Sequence, residues 1–386
     1  MQGNPAGLTT LSGTTLDLSL TSLFANGSFD NSVSSNATLQ TLAGTLPYAA
    51  FSTRLGSRFV VAVATAPDTA MKADWTYVDP PGTAGASYGV QRNRSTILGL
   101  RSAVGASWAV NRKLSLGATA GAIYNANSLQ APYIFQEQPQ LAGLKTLLDL
   151  HTSGVGWNGT FGALFSPTNK VRVGTAYHMA TNVRTHGTAY GNAGAQFQAL
   201  GLAFQPDFRY DAEVDVKFPA FVSGGVSWKA TRRARLNMQG QWVDWSSAFQ
   251  QLPVRLSNGS NGDINGFLGS PSLNDTIPLR WRNQTVLGLG VEVPLGEAVQ
   301  MRAGYSYATN PVPAATLTPM TAAILQNAVG TGVGYGRGRV HYDLTYQVQL
   351  PAEQRVGESG LLAGEYNNSR VDVTVQSITL TSRVQF

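Results

Sequence analysis

The sequence predicts an all-β chain closed into a transmembrane antiparallel barrel of about 14 strands. Three observations carry this reading. Only 12% of the 386 residues are charged and 42 are glycine. Mean hydropathy is near zero, and no apolar run reaches the roughly 18 residues that a spanning helix needs. Alternation then runs from end to end. In "RVHYDLTYQVQL", Val340, Tyr342, Leu344, Tyr346, Val348 and Leu350 alternate with Arg339, His341, Asp343, Thr345, Gln347 and Gln349. Strand side chains point to opposite faces with period two, so one face is oily and one is wet. Finally, links between the alternating stretches are short and long by turns, as hairpins with tight inner turns and long outer loops require.

The strands follow in order. The first is read at 14–26, after the opening "MQGNPAG". Strands at 46–55 and 58–66 share the turn "LGSR" (55–58), and those at 92–110 and 113–128 share "NRK" (111–113). "SPTNK" (166–170) joins 154–166 to 170–186, where Val171, Val173 and Tyr177 stand against Arg172 and His178. In 212–230, Val214, Val216, Phe218, Val222, Val226 and Trp228 share one parity; Asp215, Lys217, Ser223, Ser227 and Lys229 share the other. "TRRAR" (231–235) leads into 234–256. Leu287, Leu289, Val291 and Val293 alternate with Gly288, Gly290 and Glu292 in 278–294, and "PLGEA" (294–298) turns into 298–310. There Val299, Met301, Tyr305 and Tyr307 oppose Gln300, Arg302 and Ser306. "GRG" (336–338) joins 326–337 to 339–352. The last strand, 370–386, turns Phe386, Val384, Leu380 and Ile378 one way and Gln385, Arg383, Thr381 and Thr379 the other. Long connections are expected at 67–91, 128–153, 185–212, 256–278 and 311–326. Many strands exceed the roughly 9–11 residues that cross a bilayer, so the barrel should rise above the membrane.

Composition excludes several functions. Cysteine is absent, so no disulfide or thiolate metal site forms. The net charge of +6 comes from Lys and Arg scattered singly, apart from pairs such as Arg112-Lys113 and Arg232-Arg233. A nucleic-acid binder would gather them on one stripe, so no nucleic-acid partner is expected. His151, His178, His186 and His341 make no metal-spaced pair, and no Gly-rich phosphate loop joins a strand to a helix. His341 beside Asp343 would suit a barrel hydrolase, but no serine is singled out as its nucleophile. The reading is therefore not an enzyme, with no metal and no cofactor. "MQGNPAG" has neither a basic n-region nor an apolar h-region, so no signal peptide is read there.

A terminal Phe386 closing an apolar face resembles the C-terminal signal by which outer-membrane barrels are recognised for insertion. It implies a bacterial outer membrane, its lipids, and the barrel assembly machinery as partners. Four segments then resemble the FadL/TodX family of outer-membrane transporters for hydrophobic compounds. They are "NPAG" (Asn4 to Gly7), "VATAPDTAMKADW" (Val63 to Trp75), "GQWVDWSSAF" (Gly240 to Phe249), and Leu279 to Pro313, which ends in "NPVP". The family motifs fall on Asn4, Pro5, Ala6, Asp244 and Trp245; Asp244 and Trp245 are read as structural, and Trp242 and Trp245 as girdle aromatics. The family's N-terminal hatch plugs the barrel. Only Met1 to Gly3 precede the motif, so the hatch is expected to be largely absent from this chain, with 1–13 its remnant and 14–386 the barrel.

The resemblance implies passive uptake of long-chain fatty acids or other hydrophobic compounds, captured in an outer groove and released through the barrel wall. Aromatic hydrocarbon uptake and a general water-filled porin are the alternatives. The groove is assigned to 128–153, where Leu141, Leu144, Leu147 and Leu148 have helical spacing. The loop at 185–212 adds Phe197, Phe204 and Phe208. Simple packing of the loops is the competing reading. In the lumen, parity places Arg282 on the wet face with Gln284, and its neighbour Trp281 completes an interior site. The family resemblance makes Arg282 the carboxylate's cation; the alternative is a lumen arginine paired with an acidic neighbour. Tyr124 to Gln130 lacks the basic residue expected of fatty-acid transporters, which leaves room for neutral aromatics or alkanes. The lateral exit is assigned to Val63 and Pro67. Proline cannot donate a ladder hydrogen bond, and the family's kink in this strand opens a gap; the alternative is that Pro67 merely ends the strand.

Overall fold

The computed structural model describes residues 3–40 and 44–386. Among these residues nineteen strand segments form a single sheet, every pairing antiparallel, and the sheet closes on itself. The first are β1 (Thr14–Asp30), the short β2 (Ala37–Thr38), β3 (Gly44–Leu55) and β4 (Phe59–Val78). β5 (Val90–Ala109), β6 (Leu114–Ile134) and β7 (Lys145–Phe165) are the long staves. The next four staves are each broken in two. They are β8 (Val171–His178) with β9 (Thr181–Asn192), and β10 (Asp207–Phe218) with β11 (Phe221–Lys229). Then come β12 (Arg235–Val243) with β13 (Gln251–Ser257), and β14 (Leu273–Pro278) with β15 (Gln284–Leu295). β16 (Val299–Ala308), β17 (Asn327–Arg337), β18 (Val340–Arg355) and β19 (Arg370–Gln385) complete the wall. With each broken pair counted once and β2 left out, fourteen staves enclose the lumen.

Closure is a ladder between β1 and β19 from Thr15↔Gln385 to Asp30↔Arg370. The alternation in β18 has the direction a membrane barrel needs. Tyr342, Leu344 and Tyr346 are exposed on the outer face. Asp343 points inward and pairs with Arg302, and His341 Nε2 lies 3.2 Å from Asp343 Oδ2. Gly296 and Gly338 adopt φ of +85° and +62° at the tight turns, a conformation that favours glycine. Among the described residues no helix is long and apolar enough to cross a membrane.

The outer connections are shorter than the sequence suggested. Expected loops at 67–91, 128–153, 185–212 and 256–278 contract to 79–89, 135–144, 193–206 and 258–272, while the last opens slightly to 309–326. The cause is strand length: β4 to β7 run 20 or 21 residues, about twice what the bilayer demands. Above the membrane both strand faces meet polar or packed surroundings, so hydrophobic alternation no longer marks them.

This raised half of the barrel is filled. One buried apolar cluster joins Phe29, Trp75, Ile123, Phe218, Phe249 and Trp281 with residues of the outer connections. The 309–326 connection folds inward. Trp75 Nε1 donates to Pro319 O (2.9 Å), Ser95 Oγ donates to Met320 O (2.9 Å), and Leu317 and Ile324 are buried. At the other end, a 3-10 turn, Pro5–Thr10, lies inside the wall. Asn4 Nδ2 donates to Ala163 O (2.9 Å) and Thr175 O (3.0 Å), while its Oδ1 accepts from Ala6 N–H (3.0 Å). Gly117 and Gly162 permit this contact, since a Cβ on either would overlap Asn4–Ala6. Met1 and Gln2 lie outside the described residues.

Candidate functional site

At the outer end of the barrel, three hairpins enclose a cavity of about 120 Å³. The β6–β7 hairpin gives it Tyr133, Phe135, Leu141, Leu144, Leu148 and Leu150. The β9–β10 hairpin gives Phe197, Leu200, Leu202, Phe204, Phe208 and Tyr210, and the β13–β14 hairpin gives Leu256, Ile264, Phe267 and Leu273. Leu200, Leu202 and Phe267 remain exposed and form an apolar rim at its mouth.

Local structure explains the convergence. The 135–144 segment is a tight loop and not the expected helix. Its neck is pinned by Phe135 N–H to Leu144 O (3.0 Å) and Gly143 N–H to Phe135 O (2.8 Å), with Gly143 at φ +82°. Asp275 of β14 binds this loop from outside. Its carboxylate accepts the backbone N–H groups of Gln136 (2.9 Å), Glu137 (2.6 Å) and Gln138 (3.1 Å), and the Tyr133 hydroxyl (2.5 Å). Burial, then the neighbouring Asp275 charge, holds the Tyr133 phenol well above its ordinary range, so it stays a donor. A short helix, α1 (Gly194–Ala199), carries Phe197. α2 (Trp245–Ala248) interrupts the stave of β12 and β13. Asn261 caps α3 (Gly262–Leu268) by accepting the N–H groups of Asp263 and Ile264, and α3 then turns Ile264 and Phe267, three residues apart, toward the cavity.

Six of the seven groove residues therefore come together: Leu141, Leu144, Leu148, Phe197, Phe204 and Phe208. Leu147 does not line the cavity. Leu147 and Leu148 lie in β7, where successive side chains face opposite ways, and only Leu148 turns in. The polar residues of the wall are satisfied, except that the buried Tyr210 hydroxyl finds no hydrogen-bond partner among the described residues. Gln196 Oε1 accepts Lys145 N–H (2.9 Å) and its Nε2 donates to Thr83 O (3.2 Å). Thr146 Oγ1 donates to Asn192 O (3.0 Å). Lys145 is fully buried; its Nζ donates to Asp79 Oδ1 (2.8 Å) and Pro80 O (2.5 Å) and lies 3.3 Å from Glu365 Oε2. Lys145, Glu365, Tyr133 and Asp275 escaped the sequence reading, because single polar residues in short outer strand segments and connections carry no periodic signal.

The expected interior site divides. Arg282 is exposed and lines no part of the cavity, so it is not a buried cation. The reason is a break at 279–283, where Arg280 adopts φ +53° and resets the alternation. Trp281 turns inward instead and packs edge-on against Trp245 and Phe249, each at 5.0 Å. Gln284 supports that cluster, accepting from Trp245 Nε1 (3.3 Å) and donating to Thr309 O (2.9 Å). Trp245 is thus an interior residue and not a girdle aromatic, whereas Trp242 faces outward. Asp244 leads into α2, where its Oδ1 accepts from Ser246 Oγ (3.3 Å).

The wall itself changes at the third stave. The β3–β4 ladder runs from Leu55↔Phe59 to Ala49↔Thr65 and ends there. β4 continues along β5, with a bulge at Asp68 between the pairs Pro67↔Leu100 and Thr69↔Gly99. Above, the wall is rejoined by Gln40 N–H to Asp74 O (2.8 Å) and the Leu39↔Trp75 bridge. Pro67 sits at this discontinuity. Val63 does not: it lies within the ladder, between Phe51 and Val104, on the outer face. Just inside the bulge, Arg101 donates to Asn158 Oδ1 (2.7 Å) and Thr119 Oγ1 (2.9 Å), and His178 Nε2 is 3.7 Å from Asp68 Oδ1. Among the described residues no cluster of His, Cys, Asp or Glu forms a metal site.

Residues 1–386 match the model of a family described as outer membrane protein transport protein (OMPP1/FadL/TodX). No curated protein gives a significant match. Among solved structures, a Pseudomonas aeruginosa FadL homologue superposes with a TM-score of 0.76 at 17% identity, covering 99% of this chain and 93% of that one. The Pseudomonas putida toluene transporter TodX gives 0.78 at 18% identity, with 99% and 92% covered. The Ralstonia pickettii toluene transporter TbuX gives 0.76 at 19% identity, again with 99% and 92% covered.

Proposed function

The chain belongs to the OMPP1/FadL/TodX family of outer-membrane transport proteins, and from that premise we propose that it admits small neutral hydrophobic compounds. They enter the outer cavity past the apolar rim and leave sideways between β3 and β4. The observation that carries this reading is the cavity. Its inner surface is made chiefly by leucine and phenylalanine, and its polar wall residues are engaged with one another or with backbone, apart from the Tyr210 hydroxyl. A dry apolar cavity of about 150 Å³ is enough to bind benzene, so about 120 Å³ matches a single aromatic ring. A long acyl chain needs several times that space, and its carboxylate would meet a Lys145 already held by Asp79, Pro80 O and Glu365. We therefore favour monoaromatic hydrocarbons, such as the toluene named for TodX and TbuX, over long-chain fatty acids.

Lateral release follows from what lies below. An apolar ligand gains roughly 0.8 kcal/mol for each CH₂ kept out of water, so a polar lumen offers it no downhill path. The β3–β4 ladder ends at Ala49↔Thr65, beside the bulge at Asp68, and this break in the pairing is our candidate for the way out to lipid. Phe386, whose N–H donates to Thr14 O (2.9 Å) at the seam, is our candidate for recognition by the assembly machinery. The test is uptake of labelled toluene and oleate by cells with and without the protein. Toluene uptake should depend on it, and a Leu148→Trp variant, which fills the cavity, should lower that uptake about tenfold while the barrel still assembles. Uptake of neither compound, or full activity in the filled variant, would remove the proposal.

A further inference from the structure

The cavity has an apolar surface but a charged frame. Lys145 lines it and is held between Asp79, just after β4, and Glu365, in the 356–369 connection. Both carboxylates are buried. Asp275, bound to the neighbouring 136–138 backbone, adds a third beside the same cavity. One ammonium thus stands against three carboxylates within the outer half of the barrel, where charges are screened far less than at the surface.

We infer that Glu365, with Asp79 and Asp275, is a charge filter that lets the cavity hold neutral hydrophobic molecules and turns away those bearing a carboxylate. This rests on the reading of the cavity as the ligand site, and it makes Glu365 a specificity-determining residue that touches no ligand. Glu365 is also the adjustable member. Burial pushes its carboxyl up to about 7, with Lys145 pulling it down and Asp79 pushing it further up. The groups that face it are Lys145 from β7, Asp79 from the β4–β5 connection, Tyr77 from β4 and Tyr366 from its own loop. Burial raises both phenols, so they remain neutral and Glu365 is the group that changes charge near neutrality. Below pH 7 the filter loses one negative charge. Above pH 7 it regains it, and rejection of carboxylates strengthens.

Toluene and benzoate test this directly, since they share a ring and differ in a methyl or a carboxylate. An ordinary carboxylic acid titrates near pH 4, so benzoate is ionised throughout the range that matters. Binding of each to the purified chain in detergent is measured by calorimetry at pH 6 and pH 8. The ratio of toluene to benzoate affinity should be about tenfold larger at pH 8 than at pH 6. Glu365→Gln, which keeps the shape and removes the charge, should bring the pH 8 ratio to the pH 6 value. A ratio in the native chain that ignores pH, or one that Glu365→Gln leaves unchanged, overturns the filter. If Glu365→Gln fails to fold, the pH dependence of the native chain decides alone. Failure of the native chain to bind toluene at all would remove the cavity reading, and the filter with it.

Discussion

Two carboxylates sharing one buried ammonium make Lys145, Asp79 and Glu365 a clamp between the start of β7 and two outer connections, and its strength depends on pH. The folded chain holds the Glu365 proton up to about pH 7, whereas the ordinary glutamate value is 4.5. Below 4.5 folded and unfolded chains both carry the proton, and the site's full stabilisation is present. Between 4.5 and 7 the unfolded chain releases it first, so that stabilisation falls as pH rises, and above 7 it is gone. The amount at stake is on the order of 3 kcal/mol. Amide exchange in the 356–369 connection, corrected for intrinsic rate, should therefore quicken from pH 5 to pH 8 and stay flat in Glu365→Gln. Equal slopes in the two proteins would show that the clamp does not titrate. None of this was legible in the sequence, where Lys145, Asp79 and Glu365 stand far apart in the chain and share no pattern. Apolar partners fared better: Phe197, Phe204 and Phe208 are large side chains with no lipid to face, so the same cavity gathers them. Arg282 failed for a different reason, because a residue with positive φ, Arg280, interrupts the parity on which its placement relied.

Strands were legible wherever lipid and lumen impose opposite polarity on alternate residues, as in β16 to β19. Signal was lost where that contrast ends. Above the membrane β6 and β7 continue as a packed hairpin, and Leu141, Leu144, Leu147 and Leu148 matched helical spacing by coincidence in a segment that reverses direction. α2 was equally hidden, since a four-residue helix inside a stave is shorter than any period it would display. The kink in β4 was visible only as Pro67, while its consequence lies in another strand, where the ladder with β3 stops at Ala49↔Thr65. One more step of that register would set Tyr48 opposite Ala66. Because the chain has no cysteine, Tyr48→Cys and Ala66→Cys can be joined by a short bis-maleimide without side reactions. Joining them should lower toluene uptake at least about fivefold relative to the same variant left unjoined. Equal uptake in both would mean that ligand does not leave between these strands.

At the scale of the whole molecule the lumen has two unlike halves. The inner half encloses about 1000 Å³ lined by Gly288, Gly290, Gly304 and Gly330 with Arg235, Glu292 and Arg302. The outer half is packed like the interior of a soluble protein, from Phe29 and Trp75 across to Trp281 and Leu317. Between them Arg101, Asn158, Thr119 and His178 form a buried hydrogen-bonded layer, with His178 stacked on Phe221 at 4.6 Å. Alternation alone could not distinguish these halves, since a filled lumen and an open one place the same residues inward. The difference decides between a hydrocarbon channel and a general porin, because ions need a continuous aqueous path while a ligand leaving through the wall does not. A fourteen-stave barrel with an open lumen would conduct in large steps. Packing of the 309–326 connection against Trp75 and Ser95 closes that path from the outside. Single channels in planar bilayers should accordingly conduct at no more than about a tenth of an open porin of similar strand number. Replacing residues 313–323 by a short Gly-Ser linker should raise the conductance several-fold, because it withdraws Leu317 and Pro319 from the lumen. Large steps in the native protein, insensitive to that replacement, would mean that water runs through the barrel and would return the porin reading to first place.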